Sequence, residues 1–326
     1  MNENIKILIT GADGYIGNCL FYFLKKNYDV IGLDKRKLFN NKIYKCNLLN
    51  TKKVDKFLSK KKPNIIIHLA AQSSVDEKIN KKKYYDDNVK VTSNLLMLMK
   101  KHNIKKLIFS STAAVYKQNS LPINENATIK PLSNYAITKL ICEKNIKKNK
   151  HIKSIILRFF NVCAALDKPS IGLLKSNIST LIPTIVYKAL FNKKIYIYGN
   201  DYDTPDGTCI RDYIHIKDIC SAIKNSIIFI NKKNKSGIFN IGNKVGISNK
   251  SVVNHVQKII KKKINLEYVK RRKGDIPKSI CNSDKAKNQL SWYAKNSNLN
   301  KIIRDEINWI KKIDKLGLKR KFKNYI

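Results

Sequence analysis

Acidic side chains are scarce in this 326-residue chain: 23 Asp and Glu stand against 66 Lys and Arg, for a formal net charge of +43 at pH 7. There is no H-E-x-x-H segment, no C-x-x-C pair and no apolar run long enough to span a bilayer. The missing ligand motifs exclude the common zinc sites. The seven cysteines, odd in number and scattered singly, argue against a disulfide framework. They read as small buried thiols in a reducing compartment. The N-terminus runs straight into a strand pattern with no signal-peptide signature, so a cytoplasmic location without membrane attachment is expected.

A shortage of acid suits a nucleic-acid binder, but the cations here form no stripe. Lysines are spread along the whole chain, as at Lys60–Lys62, Lys81–Lys83 and Lys261–Lys263. Ile and Asn are abundant as well, and Lys, Ile and Asn are the residues that A/T-rich codons encode. A base-composition bias accounts for all three, so no specific nucleic-acid partner is expected. What remains physically is a long-range attraction to polyanions, weakened by salt.

Hydrophobic residues make up 43% of the chain, enough for a sizeable core. Strand patterns over Ile5–Thr10, Asp29–Asp34, Ile65–Leu69, Lys106–Ser111 and Ser154–Phe159 alternate with helix patterns over Tyr15–Lys26, Thr51–Lys60, Lys83–Lys101 and Asn134–Lys147. Continuous apolar strands such as Ile65–Leu69 are those of a parallel sheet covered on both faces. The alternation predicts an α/β fold, a Rossmann-type doubly wound parallel sheet. Beyond about Asn161 the pattern loosens. The expected division is a dinucleotide-binding domain over 1–165 and a smaller α/β substrate-binding domain over 166–326. The boundary is soft, since later strands can rejoin the main sheet.

The first strand pattern leads into Gly11-Ala12-Asp13-Gly14-Tyr15-Ile16-Gly17, which opens a helix. Glycines permit a tight turn, close approach of backbone to a pyrophosphate and close helix–strand packing, while the helix N-terminus offers free N–H groups. Asp34 ends the second strand about 20 residues on, as this fingerprint asks. Its carboxylate would hold ribose hydroxyls and repel a 2′-phosphate, favouring NAD, although Lys35 and Arg36 follow it. Tyr135 and Lys139 form a Y-x-x-x-K segment on a helix, and positions four apart share a face at about 5–6 Å between Cβ atoms. A free phenol has a pKa of about 10, and a nearby ammonium would bring it down toward use as a general base. His68 and His215 read as packed structural residues.

These segments resemble the extended short-chain dehydrogenase/reductase family, and the later ones resemble its UDP-glucose 4-epimerase branch. His68-Leu69-Ala70-Ala71 resembles the strand-end segment beside the nicotinamide half of the cofactor, and Asn88 matches an asparagine near the cofactor. Asn47, before Leu48, stands where these enzymes usually place an aspartate against the adenine. Thr112 ends the strand that carries the family's substrate-contacting hydroxyl. Leu157-Arg158-Phe159-Phe160-Asn161 resembles the segment whose asparagine contacts the substrate diphosphate. The run from Ile197 through His215 matches nearly the whole epimerase signature, and the matched stretches extend from residue 5 to about 293.

By that resemblance Tyr198 lies at the uracil pocket, Arg211 and Arg272 clamp the diphosphate, and Asp275 in the R-x-G-D segment holds the uridine ribose. Thr180 and Leu181 fall among the substrate-binding positions that the resemblance implies, with Thr180 standing where many epimerases carry Asn or His. Ser279 replaces a bulky aromatic, leaving room for a 2-acetamido group and thus for UDP-N-acetylhexosamines. The implied reaction is inversion at C4 of a UDP-hexose through a 4-keto sugar. Tyr135 serves as base with Thr112 as relay, and NAD is reduced and reoxidised in each turnover. A 4,6-dehydratase would need an acid pair after Thr112, where Ala113 and Ala114 stand. Another nucleotide-sugar epimerase is the nearer alternative. The family also implies a homodimer through the helices Lys83–Lys101 and Asn134–Lys147, with Val89, Leu96 and Leu140 as contacts.

Overall fold

The computed structural model describes residues 5–36, 42–74, 79–117, 122–168, 170–173, 180–272 and 274–316. In the first half, strands β1 (Lys6–Thr10), β2 (Asp29–Asp34), β3 (Ile43–Lys45), β4 (Ile65–His68), β5 (Lys106–Thr112) and β6 (Lys153–Phe159) alternate with helices α1 (Tyr15–Leu24), α2 (Thr51–Lys61), α3 (Lys81–Tyr84), α4 (Val91–Lys101) and α5 (Asn134–Lys148). A π-helical turn over Tyr85–Lys90 joins α3 to α4, so the long expected helix is present but interrupted. The second half adds β7 (Asn161–Cys163), α6 (Leu181–Leu190), β8 (Ile195–Tyr198), β9 (Ile210–His215), α7 (Ile216–Lys233), β10 (Gly237–Ile241), β11 (Gly246–Ser248), α8 (Asn249–Ile260), β12 (Leu266–Val269), β13 (Lys278–Ser279), α9 (Asp284–Leu290) and α10 (Leu299–Lys315).

The main sheet is parallel throughout, in the order β10-β6-β5-β4-β1-β2-β3. Its central strands are apolar on both faces because helices cover both. Ile7 and Ile9 of β1 pack toward α1 and α7, whereas Leu8 packs with residues of α2 and α4. After β1 the chain first moves to β2 and β3 on one side and then to β4, β5 and β6 on the other. The reversal leaves a crevice at the carboxyl ends of β1 and β4, where ligands bind in open α/β sheets. β10 and α7 lie beyond residue 165 in sequence yet belong to this sheet and its covering layer.

The remaining elements form a second body. β9 pairs with β7, β11 and β13, β8 pairs with β12, and α6, α8 and α10 close around a separate apolar core that includes Ile185, Val256 and Ile303. Among the described residues no helix is long and apolar enough to cross a membrane.

The seven cysteines are all free and buried. Val89 and Leu96, expected to face a second subunit, are instead buried within the main core, and Leu140 packs on the cluster around Tyr116 and Phe160. The exposed apolar side chains of these helices are Tyr85 (52%), Met97 (55%) and Ile137 (41%). A π turn takes up an extra residue, which turns neighbouring side chains relative to a regular helix.

Candidate active site

A cavity of about 520 Å³ runs from the glycine turn after β1 to the loop after β12. Gly11, Gly14, Tyr15, Ile16, Gly17, Asp34, Asn47, Leu48, Leu69, Ala70, Ala71, Thr112, Tyr135, Lys139, Asn161, Thr180, Leu181, Arg211, Arg272 and Asp275 all line it. Residues more than 260 positions apart thus share one space. Asn88, Tyr198 and Ser279 do not line it.

At one end the turn is built so that only glycine fits. Gly11 has φ +68°, and a Cβ there would lie 2.7 Å from the Ala70 backbone nitrogen; one at Gly17 would lie 2.1 Å from the Gly11 oxygen. The chain therefore passes close to Ala70 and into α1 with bare backbone facing the cavity. α1 has no side-chain cap at Gly14, so its first N–H groups remain available to an anion. Asp34 is buried at the end of β2. Its carboxylate accepts the Asp13 N–H at 3.1 Å and the Arg36 N–H at 2.9 Å. A bare-backbone cradle, an uncapped helix and a fixed strand-end carboxylate fit a dinucleotide.

Asn88 sits in the π turn and braces this end. Its Oδ1 accepts the Gln72 N–H at 2.7 Å, and its Nδ2 donates to Thr138 Oγ1 at 2.9 Å, tying the segment after β4 to α5. His68 is packed between Thr10 (2.6 Å) and Thr92 (3.1 Å), and burial pulls its pKa down to about 3. His215 is buried against Asp305 at 3.0 Å and accepts the Lys217 N–H at the start of α7. Both histidines are structural members of the core.

In the middle, Thr112 ends β5 while Tyr135 and Lys139 project from α5. Thr112 hydrogen-bonds to the half-buried Tyr135, which lowers the phenol's pKa, but burial dominates and pushes it up to about 12. The depression expected from the lysine is not found, for a physical reason. Lys139 is 2% exposed, with Nζ 4.2 Å from the Phe109 ring centroid. Burial pulls the Lys139 pKa down to about 8. A phenol titrating near 12 therefore meets an amine that is already neutral. Near neutral pH the amine is charged, and its attraction for a phenolate is available.

At the far end, Arg211 on β9 donates to the Ile276 carbonyl at 2.7 Å and lies 3.8 Å from Asp275. The Arg272 guanidinium stacks 3.7 Å from the Tyr198 ring, so Tyr198 supports a lining residue. Ser279 registers with Arg211 across β13 and β9, one strand removed from the lining. Lys273, within the R-x-G-D segment, lies outside the described residues.

The cavity also holds features that motif reading missed. α6 has no side-chain cap at Thr180, and its first turn (Leu181, Ile182 and Pro183) lines the cavity; the Leu181 and Ile182 N–H groups make it a second uncapped helix end suited to phosphate, Pro183 having no N–H. By contrast α2, α5, α8 and α10 are capped by Asn50, Ser133, Ser248 and Asn298; α9, also without a side-chain cap, is not part of the lining. Ser111, Phe159, Phe160, Tyr213 and Asn249 line the cavity too. Tyr213 follows Arg211 by two positions on a strand, and that period-two spacing was the available signal. Among the described residues no cluster of His, Cys, Asp and Glu is suited to a metal.

A family model described as the NAD dependent epimerase/dehydratase family matches residues 7–242. A UDP-glucose 4-epimerase of Lactobacillus helveticus is 36% identical over 321 residues, covering 94% of this chain and 97% of its own. Among solved structures, the UDP-glucose 4-epimerase from Bifidobacterium longum in complex with NAD⁺ and UDP is similar with a TM-score of 0.86 at 29% identity, covering 94% of this chain and 98% of that one. The UDP-Glc/GlcNAc 4-epimerase from Campylobacter jejuni is similar with a TM-score of 0.80 at 32% identity, covering 94% and 99%.

Proposed function

The chain belongs to the NAD dependent epimerase/dehydratase family and, within it, to the UDP-glucose 4-epimerases, and from that premise we propose that it is an NAD-dependent isomerase that inverts C4 of UDP-hexoses, interconverting UDP-glucose and UDP-galactose. One observation carries this reading. A single cavity joins the glycine cradle and Asp34 to Thr112, Tyr135 and Lys139, and these to Arg211, Arg272 and Asp275. Bound NAD supplies the reversible oxidation at C4. The chain's own residues do the rest. Tyr135 takes the proton of the sugar 4-hydroxyl, with Thr112 between it and the substrate, and Lys139 supplies the positive charge that a phenolate needs. Arg211, Arg272 and the bare amide end of α6 hold the diphosphate, and Asp275 holds the ribose. With the nucleotide anchored, the sugar is free to present either face to the cofactor. Ala113 and Ala114 beside Thr112 offer no acid for elimination.

Three finer points belong to the same proposal. Ser279, one strand behind the lining at Arg211, is small enough to let that wall yield to a 2-acetamido group, in keeping with the likeness to a UDP-Glc/GlcNAc 4-epimerase. A homodimer forms through the exposed side of the α3-to-α5 face, where Tyr85, Met97 and Ile137 are uncovered. The enzyme works in the cytoplasm, with residues 1–165 binding cofactor and 166–326 binding substrate apart from the returning α7 and β10.

The test is conversion of UDP-galactose, followed through a coupling dehydrogenase specific for UDP-glucose. The wild type turns over, while Tyr135→Phe folds, retains NAD and loses about 10³ in rate. Absence of wild-type turnover, or near wild-type activity in Tyr135→Phe, overturns the assignment.

A further inference from the structure

A buried polar network lies behind the reactive face of α5, and none of the roles above uses it. Glu143 follows Lys139 by four positions, one turn on along the same face. Its carboxylate, 2% exposed, accepts hydrogen bonds from Ser111 Oγ at 2.5 Å, Arg158 Nε at 3.0 Å and Arg158 Nη2 at 2.6 Å. Arg158, 4% exposed on β6, also donates from Nη1 to the Tyr116 hydroxyl at 2.8 Å, and that hydroxyl donates to Asn240 Oδ1 on β10 at 2.7 Å. Asn240 in turn donates to the Ile123 carbonyl at 3.0 Å. One connected chain of bonds therefore joins α5 to β5, β6, β10 and the loop after β5.

Stability alone does not call for charge here. A buried Arg–Glu pair is commonly no better than apolar residues of the same shape, because both ions lose their water. The location of the pair offers a different reason. Ser111 lines the cavity and directly precedes Thr112, and Glu143 lies one turn beyond Lys139. We propose that the Glu143–Arg158 pair, linked to Ser111, is a positioning device that fixes the rotation of α5 so that Tyr135 and Lys139 stay aimed at Thr112. This rests on the epimerase reading of those three residues.

The pair also bears on the charge of Lys139. That amine faces Cys142 and Glu143 on its own helix, Phe109 on β5 and His68 on β4. Among the described residues no carboxylate lies within salt-bridge reach of it. Burial pulls its pKa down, and Glu143 works against that pull. Arg158 sits behind Glu143, so the negative end of the pair is the one nearer Lys139. Loss of the carboxylate moves the Lys139 pKa further down, and activity that needs the ammonium is then lost at lower pH.

The experiment compares wild type, Glu143→Gln, Arg158→Lys and the double variant Glu143→Gln/Arg158→Met. In Glu143→Gln, kcat falls about tenfold with KM for UDP-galactose little changed. Its alkaline limb moves down by roughly half to one pH unit. Arg158→Lys keeps the charge pair, so its limb stays at the wild-type position. The double variant leaves no orphaned guanidinium and is the one to read should the single variant fail to fold; its limb is displaced in the same direction by less. A readout without turnover comes from NMR of the cofactor-free chain carrying ¹³C-labelled lysine. The lysine resonance titrating near pH 8, identified by its loss in Lys139→Met, moves down in Glu143→Gln. Unmoved limbs and an unmoved resonance in both Glu143 variants overturn the inference. Such a result with an active wild type leaves the epimerase reading intact, whereas an inactive wild type rejects that reading.

Discussion

Replacing Lys139 with methionine removes one buried charge beside Tyr135 and keeps most of the side-chain volume. The Tyr135 phenol, pushed up to about 12 by burial, is ionised near neutral pH to only about one part in 10⁵. Serving as a base there requires about 5 pKa units, close to 7 kcal/mol at about 1.36 kcal/mol per unit. At a charge separation of about 5.5 Å, a unit charge contributes roughly 3 kcal/mol at an effective dielectric of about 20. Lys139 thus accounts for about two of the units, and a comparable share falls to the positive ring of the oxidised cofactor. For Lys139→Met the expected result is a loss of about 10² in kcat near pH 7, with the acid limb of the profile displaced upward by about two units. Burial pulls the Lys139 pKa down, so wild-type activity declines at alkaline pH as the ammonium is lost; the Lys139→Met variant has no such decline. The assay is the coupled UDP-galactose reaction from about pH 6 to 9, with NAD content measured in parallel. Activity within about fivefold of wild type, on an unmoved acid limb, would refute the electrostatic argument.

Three further outcomes are expected. Gly17→Ala places a methyl group 2.1 Å from the Gly11 oxygen and 2.8 Å from Ala12 Cα, so the turn must open; NAD released on denaturation drops below stoichiometric, and a full complement would contradict the cradle. Wild type converts UDP-N-acetylgalactosamine as well as UDP-galactose, and Ser279→Tyr loses only the former; an inert wild type on the acetylated sugar sinks the open-pocket idea. Sedimentation velocity gives a wild-type dimer that strengthens with salt, since the +43 charge opposes association and is screened. Met97→Asp gives a monomer, and a wild type monomeric at every salt concentration removes the proposed face.

Short-range features were legible in the sequence because their physics is local. The glycine turn needs bare backbone wherever it sits, and Gly11, Gly14 and Gly17 carry that need in seven consecutive residues. Tyr135 and Lys139 share a helix face by spacing alone. Alternation of apolar strands with helices from Lys6 to Phe159 dictates a parallel sheet, and with it a crevice at the ends of β1 and β4. Tertiary structure decided the properties that depend on neighbours distant in sequence. Nothing local shows that Val89 and Leu96 turn inward, since a π turn intervenes and the apolar side of a helix has no label for sheet or partner. The Tyr135 pKa rises because β5 and α5 bury the phenol together, while pair spacing alone implied a fall. The uncapped end of α6 lines the cavity only because the second body brings it to the mouth of the main sheet. Ser111, Tyr116, Glu143, Arg158 and Asn240 are ordinary residues in five separate segments, and only the packing of α5 on β5 and β6, with β10 paired to β6, makes them one network. Sequence determines which groups are available and their local geometry. Burial, charge state and convergence arise when the folded chain excludes water from between them.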